Sequence, residues 1–235
     1  MKPTTLCDRV DSRLVVTCEH ASCVVPDELG DLGLSVGQRR GHIGWDVGAG
    51  LVAEEMSARL DAPAVLSSVT RLVVDCNRHI ADHDLMPAVS HGVAIARNRT
   101  IDAEERERRL REYYDPFHDE VDRVLGRSPG ALLLSVHSFT PSYVGRDFEI
   151  GVLFDVYHAQ AVELAAGLRA ERFSVRLNEP YSGLEGLIYS PQTHGRRASC
   201  VYLELEINNS LLRSERAARA TARRLARAVA GVLDR

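Results

Sequence analysis

The stretch LLLSVHSFTP, residues 132–141, constrains the fold more than any other. Leu132, Leu133, Leu134 and Val136 lack the alternation of a half-exposed strand, and such a continuous apolar run marks a strand covered on both faces inside an α/β sheet. The run ends on His137 rather than on a turn residue. The carboxyl end of a strand is where open α/β sheets place their ligands. A core histidine with satisfied ring nitrogens reads the same way, so His137 takes its meaning from partners at other strand ends.

Apolar runs and helical patterns alternate along the rest of the chain. Residues 13–18 read as a first strand, 47–60 as a helix, and 64–67 and 72–75 as two short strands separated by a turn. The charged segment 102–125 carries Leu110, Tyr114, Phe117, Val121 and Val124 at helical spacing. Strands follow at 149–154, 173–177 and 200–207, with a helix at 158–170 between the first two. Ser214 is a good N-cap for a last helix whose stripe is Leu225, Val229, Val232 and Leu233. This order predicts one α/β domain over 1–235, a three-layer sandwich with a mixed, mostly parallel central sheet.

A net charge of −4 points to neither a nucleic-acid nor a membrane partner, and no apolar stretch approaches the roughly 20 residues of a membrane span. The arginines of the last helix form its solvated face, because the aromatic and basic clustering of a nucleic-acid surface is missing. Five cysteines without a C-x-x-C pair and an N-terminus without an apolar signal region lead to the expectation of free thiols and a cytoplasmic protein.

Three further strand ends offer partners for His137. The first strand terminates in Glu19 and His20, and the third candidate strand ends in Asp75, Asn77 and Arg78, with Arg71 at its start. The last places Glu204 and Glu206 two apart, hence on one side of the strand, where burial demands something cationic opposite. The loop GHIGWDVGAG adds His42 and Asp46 at the same sheet edge, whereas His79, His83 and His91 fall in a polar, turn-rich segment that reads as a solvated or lid loop. Two histidines and a carboxylate converging from strand ends would make a three-ligand zinc site with an open position for water. A nearby glutamate would serve as general base, and arginine with asparagine would hold a carboxylated substrate. A serine-hydrolase mechanism is disfavoured, since there is no G-x-S-x-G elbow.

CEHAS, WDVGA, TRLVVDCNR, HSFTP, LNEPYSG and ELEINN together resemble the N-formylglutamate amidohydrolases, in order over most of the chain. DCNR, VHSF and LELE also resemble the wider group of zinc carboxypeptidases and aspartoacylases. The resemblance implies a phosphorylase/hydrolase-like fold and a zinc-dependent hydrolase of N-formyl or N-acyl amino acids, holding one divalent metal. It implies His20 and His137 as metal ligands with Asp46 as the carboxylate ligand, Glu19 being the alternative. Asn77 and Arg78, supported by Arg71, would bind the carboxylate of a small-molecule substrate. Glu206 would be the base, with Glu204 the alternative. Cys23 stands where the carboxypeptidase group has the glutamate of H-x-x-E, and Asn208 and Ser210 replace the family's late arginine and aspartate. The rival expectation is a non-catalytic protein that captures carboxylated metabolites on the same scaffold. Oligomeric state is not legible in the sequence.

Overall fold

A computed structural model describes residues 1–141 and 147–234. The first half contains β1 (Thr4–Leu6), β2 (Leu14–Cys18), α1 (Val36–Arg39), α2 (Ala49–Leu60), β3 (Ala64–Leu66) and a hairpin of β4 (Val89–Ser90) and β5 (Val93–Ala94). Then come α3 (Ala103–Arg109), α4 (Asp115–Gly126), β6 (Leu132–Phe139), β7 (Ile150–Leu153) and α5 (His158–Ala170). The chain closes with β8 (Val175–Leu177), α6 (Tyr189–Ala198), β9 (Tyr202–Asn208) and α7 (Glu215–Leu233).

Among the described residues, seven strands form one sheet in the order β1-β3-β2-β6-β9-β7-β8. It is mixed and mostly parallel: β3, β2, β6 and β9 run together, while β1 and the β7–β8 pair are antiparallel to their neighbours. Alternate residues feed two apolar layers, as the period-two geometry of a strand requires. Leu134, Val136, Leu203, Leu205 and Ile207 face α2, α5 and α7. Val15, Leu133 and Tyr202 face the layer that holds Phe117, Val121 and Val124 of α4. The three-layer α/β sandwich expected from the sequence is therefore present.

Residues 72–75 are not a strand. Leu72, Val73 and Val74 are buried, but β1 already occupies the β3 edge, so no sheet partner remains for them. Their carbonyls are taken up instead by side chains: Asn98 Nδ2 donates to Leu72 O at 2.7 Å and the fully buried Arg109 donates to Val73 O at 3.1 Å. β1, α1, the β4–β5 hairpin and α6 are additional. β1 is only three residues long, and α6 (YSPQTHGRRA) is rich in residues that read as breakers. Gly195 belongs in that helix because a Cβ there would lie 2.2 Å from the Tyr202 ring, so only glycine lets α6 sit this close to β9. Between α3 and α4 the helix opens into a π turn, Leu110–Tyr114, which turns both Tyr113 and Tyr114 inward. The five cysteines are free, and no helix among the described residues is long and apolar enough to cross a membrane.

Candidate active site

Parallel pairing sets the site. In the β6–β9 register His137 lies opposite Glu206 and Ser135 opposite Glu204, so all four project toward the α4–α6 layer. β2 adds Glu19 and His20 at its carboxyl end, and the loop into α2 brings Asp46 back, its amide donating to His20 O at 3.0 Å. Glu19, His20, Asp46, Asp75, His137, Glu204 and Glu206 are all between 1 % and 6 % exposed. So many buried ionisable groups are tolerable only when mutually paired or bound to a cation.

His20, Asp46 and His137 offer ligand atoms that lie within 4.8 Å of one another, and His137, Glu204 and Glu206 form a second such group. His20 Nε2 is 2.6 Å from Asp75 Oδ1 and donates to it, which leaves Nδ1 as the lone-pair nitrogen. That Nδ1 is buried, has no hydrogen-bond partner among the described residues, and stands 3.5 Å from Asp46 Oδ2. A carboxylate behind a histidine whose other nitrogen is bare is the arrangement by which proteins present imidazole to a metal. The donor set, two imidazoles and a carboxylate, fits zinc.

His137 is flanked by carboxylates, with Nδ1 2.8 Å from Asp46 Oδ2 and Nε2 3.1 Å from Glu19 and 3.5 Å from Glu204. Burial opposes a charge on this ring, but Glu204, Asp46 and Glu19 outweigh it and hold the imidazole well above its ordinary range. Asp46 is kept well below the carboxylate range despite burial, by the Arg71 guanidinium that binds its Oδ1 and by the two histidines. Glu19 is likewise ionised, at about 2, because burial is overcome by His137 and by hydroxyl donors from Ser135 at 2.6 Å and Ser190 at 2.8 Å. The late glutamates behave oppositely. Burial, with Glu19 nearby, pushes Glu204 up to about 7, and burial beside Asp46 raises Glu206 well above its usual value. Glu206 Oε2 is buried and has no hydrogen-bond partner among the described residues. Gly151 of β7 pairs with Glu206, and a Cβ on it would meet the Glu179 carbonyl at 2.0 Å, so the backbone closes tightly behind this carboxyl.

Asn77 joins the cluster, its Nδ2 3.3 Å from Glu204 Oε2, while its Oδ1 accepts the Ser190 amide at 2.9 Å. Arg71 sits on Asp46. Arg78 is turned to Asp84 at 3.0 Å and donates to Asn77 O at 3.1 Å, so the described contacts leave it beside the cluster rather than in it. Asp75 is the acceptor for His20. His118 Nδ1 lies 2.7 Å from His194, which reaches Asp122 at 2.6 Å, so its partner is another imidazole. A cleft opens on Asp46 and Arg71, bordered by His42, His91, Thr140 and Tyr181.

The profile of the N-formylglutamate amidohydrolase family matches residues 12–213. The chain belongs to that family. Family membership makes it an amidohydrolase-type enzyme. The product of gene Atu2144 from Agrobacterium tumefaciens superposes with a TM-score of 0.92 at 32% identity, covering 99% of this chain and 95% of that one. An N-formylglutamate amidohydrolase from Ralstonia eutropha JMP134 gives 0.77 at 19% identity, with 99% and 97% covered, and shares the fold. No curated protein was matched.

Proposed function

We propose that this family member is a zinc-dependent amidohydrolase that cleaves the N-formyl amide of an amino acid such as N-formylglutamate, giving formate and the free amino acid. The observation that carries the reading is the convergence of His20, Asp46 and His137 around a bare, buried imidazole nitrogen, with the unpartnered Glu206 oxygen beside them. A divalent metal held by these three residues would polarise the amide carbonyl and acidify a water molecule.

The chain's own groups do the rest. Asp75 holds His20 in the tautomer that presents Nδ1, and Arg71 keeps Asp46 ionised. Glu206 takes the proton of the attacking water on Oε2 and returns it to the departing nitrogen. Burial beside Asp46 raises this carboxyl's affinity for a proton, and a dication nearby would lower it. Asn77 and Arg78 would take the substrate's α-carboxylate, Arg78 exchanging Asp84 for it. A pure binding protein has no use for a buried, unpartnered carboxyl next to a metal triad, so the non-catalytic reading is the weaker one.

The test is formate release from N-formylglutamate by zinc-loaded protein. Activity abolished by a chelator and restored by zinc is the expected result; absence of turnover with one equivalent of zinc bound would overturn it.

A further inference from the structure

β6 is apolar from Leu132 to Phe139 except at Ser135, His137 and Ser138. Ser135 lies two residues before His137, on the same side of the strand, and is fully buried. Ser190, in the first turn of α6, is fully buried as well. A buried hydroxyl is costly without a partner, and these two share one. Ser135 Oγ donates to Glu19 Oε2 at 2.6 Å, and Ser190 Oγ donates to Glu19 Oε1 at 2.8 Å. Each oxygen of the carboxylate is thus fixed by a hydroxyl, one from the sheet and one from a helix. Ser190 is itself anchored, since its amide donates to Asn77 Oδ1 at 2.9 Å. One turn along α6, His194 lies 2.7 Å from His118 and 2.6 Å from Asp122, both on α4. That imidazole pair docks α6 on α4 and sets where the Ser190 hydroxyl stands.

The third group on Glu19 gives the carboxylate its use. Glu19 Oε2 is 3.1 Å from His137 Nε2, and Glu204, at 3.5 Å, is the more distant neighbour of that nitrogen. The other ring nitrogen, Nδ1, faces Asp46 Oδ2 at 2.8 Å, on the side where His20 presents its own Nδ1. A ligand role for His137 on that side uses the Nδ1 lone pair and places the ring proton on Nε2, which then donates to Glu19. His20 repeats the relation, with Nδ1 toward Asp46 and Nε2 on the buried Asp75.

We propose that Glu19 is a positioning residue for the metal centre rather than a ligand of it. Clamped by Ser135 and Ser190, it accepts the hydrogen bond of His137 Nε2–H and so aims Nδ1 at the metal, as Asp75 does for His20. The inference rests on the zinc amidohydrolase reading and adds the group that orients the second imidazole.

The experiment measures zinc affinity of the full-length protein by chelator competition. The wild type is compared with Glu19→Gln, with Ser135→Ala/Ser190→Ala, and with the triple combination. Glu19→Gln should weaken zinc binding by about 10- to 100-fold, the worth of a partner behind a metal-bound imidazole, while one equivalent is still taken up. The double serine variant should lose roughly three- to tenfold, and the same change should cost little more in the Glu19→Gln background, because the hydroxyls act through that carboxylate. Cobalt-loaded protein separates positioning from ligation: Glu19→Gln should keep the visible absorption of the wild type, whereas Asp46→Ala should change it. Unaltered zinc affinity in Glu19→Gln overturns the proposal. So do serine losses that are equal in both backgrounds, or a cobalt spectrum that Glu19→Gln alters as Asp46→Ala does. Formate release from N-formylglutamate is followed alongside. The expected affinities without any turnover sink the amidohydrolase reading alone, whereas turnover with zinc affinity unaltered across the variants sinks this inference alone.

Discussion

The centre and the rim of the site are built by different means. His20, His137 and Glu206 stand on or directly after β2, β6 and β9, where ladder hydrogen bonds fix the backbone and both sheet faces are covered. His42 and His91 stand on loops, one of them the tip of a hairpin with two residues per strand, tethered by the Ser90 bond. Groups that must converge to within hydrogen-bond distances are carried by the rigid part of the molecule. The groups at the rim are carried by loops, the part of a fold that tolerates change.

That contrast predicts how damage should sort. The largest effect is expected from Glu206→Gln, which keeps size and metal but removes the proton acceptor: turnover should fall by roughly two to four powers of ten with zinc content unchanged. Glu204→Gln is the comparison on the same strand. If it collapses turnover and Glu206→Gln does not, the roles swap by one strand repeat. Next comes Asp75→Asn, which removes the carboxylate behind His20 and should weaken zinc retention by about 10- to 100-fold in a chelator competition. Asp46→Ala should weaken retention more than Glu19→Ala, and the reverse order would transfer the ligand role to Glu19. Arg78→Ala should raise KM by tens of fold with kcat little altered, as for a lost charge-assisted contact. The smallest effect belongs to the rim: Ser90→Ala, losing one hydroxyl bond worth about 1 kcal/mol, should shift KM for N-formylglutamate by a few-fold and leave zinc bound. Loss of zinc from that variant would show that centre and rim are one unit.

The sequence was most readable where the backbone is most regular. The apolar runs of β2, β6 and β9 announce their strands, and period-two spacing puts Glu204 and Glu206 on one side together. Both expectations match the geometry. It misled at residues 72–75, where apolar content reads as a strand although the sheet edge is taken by β1. Nor does any local pattern announce that Ser135 and Ser190, 116 and 171 residues from Glu19, supply the hydroxyls that keep it ionised. Asp75 behind His20 is the same kind of fact, a contact across 55 residues that D-x-N-R spacing alone cannot reveal. α6 escapes because its helix is specified by packing on Tyr202 rather than by propensity.

The pairing of His137 with Glu206 across adjacent strands has a consequence for how the enzyme fails on heating. Their backbone separation is an interstrand spacing, so it cannot widen unless the ladder at the middle of the sheet opens. Amide protons of β6 and β9 should then be among the slowest in the molecule to exchange with deuterated solvent, opening only with the whole fold. The hairpin of β4 and β5 should exchange far sooner. In a partly warmed molecule the rim would therefore come apart before the centre does.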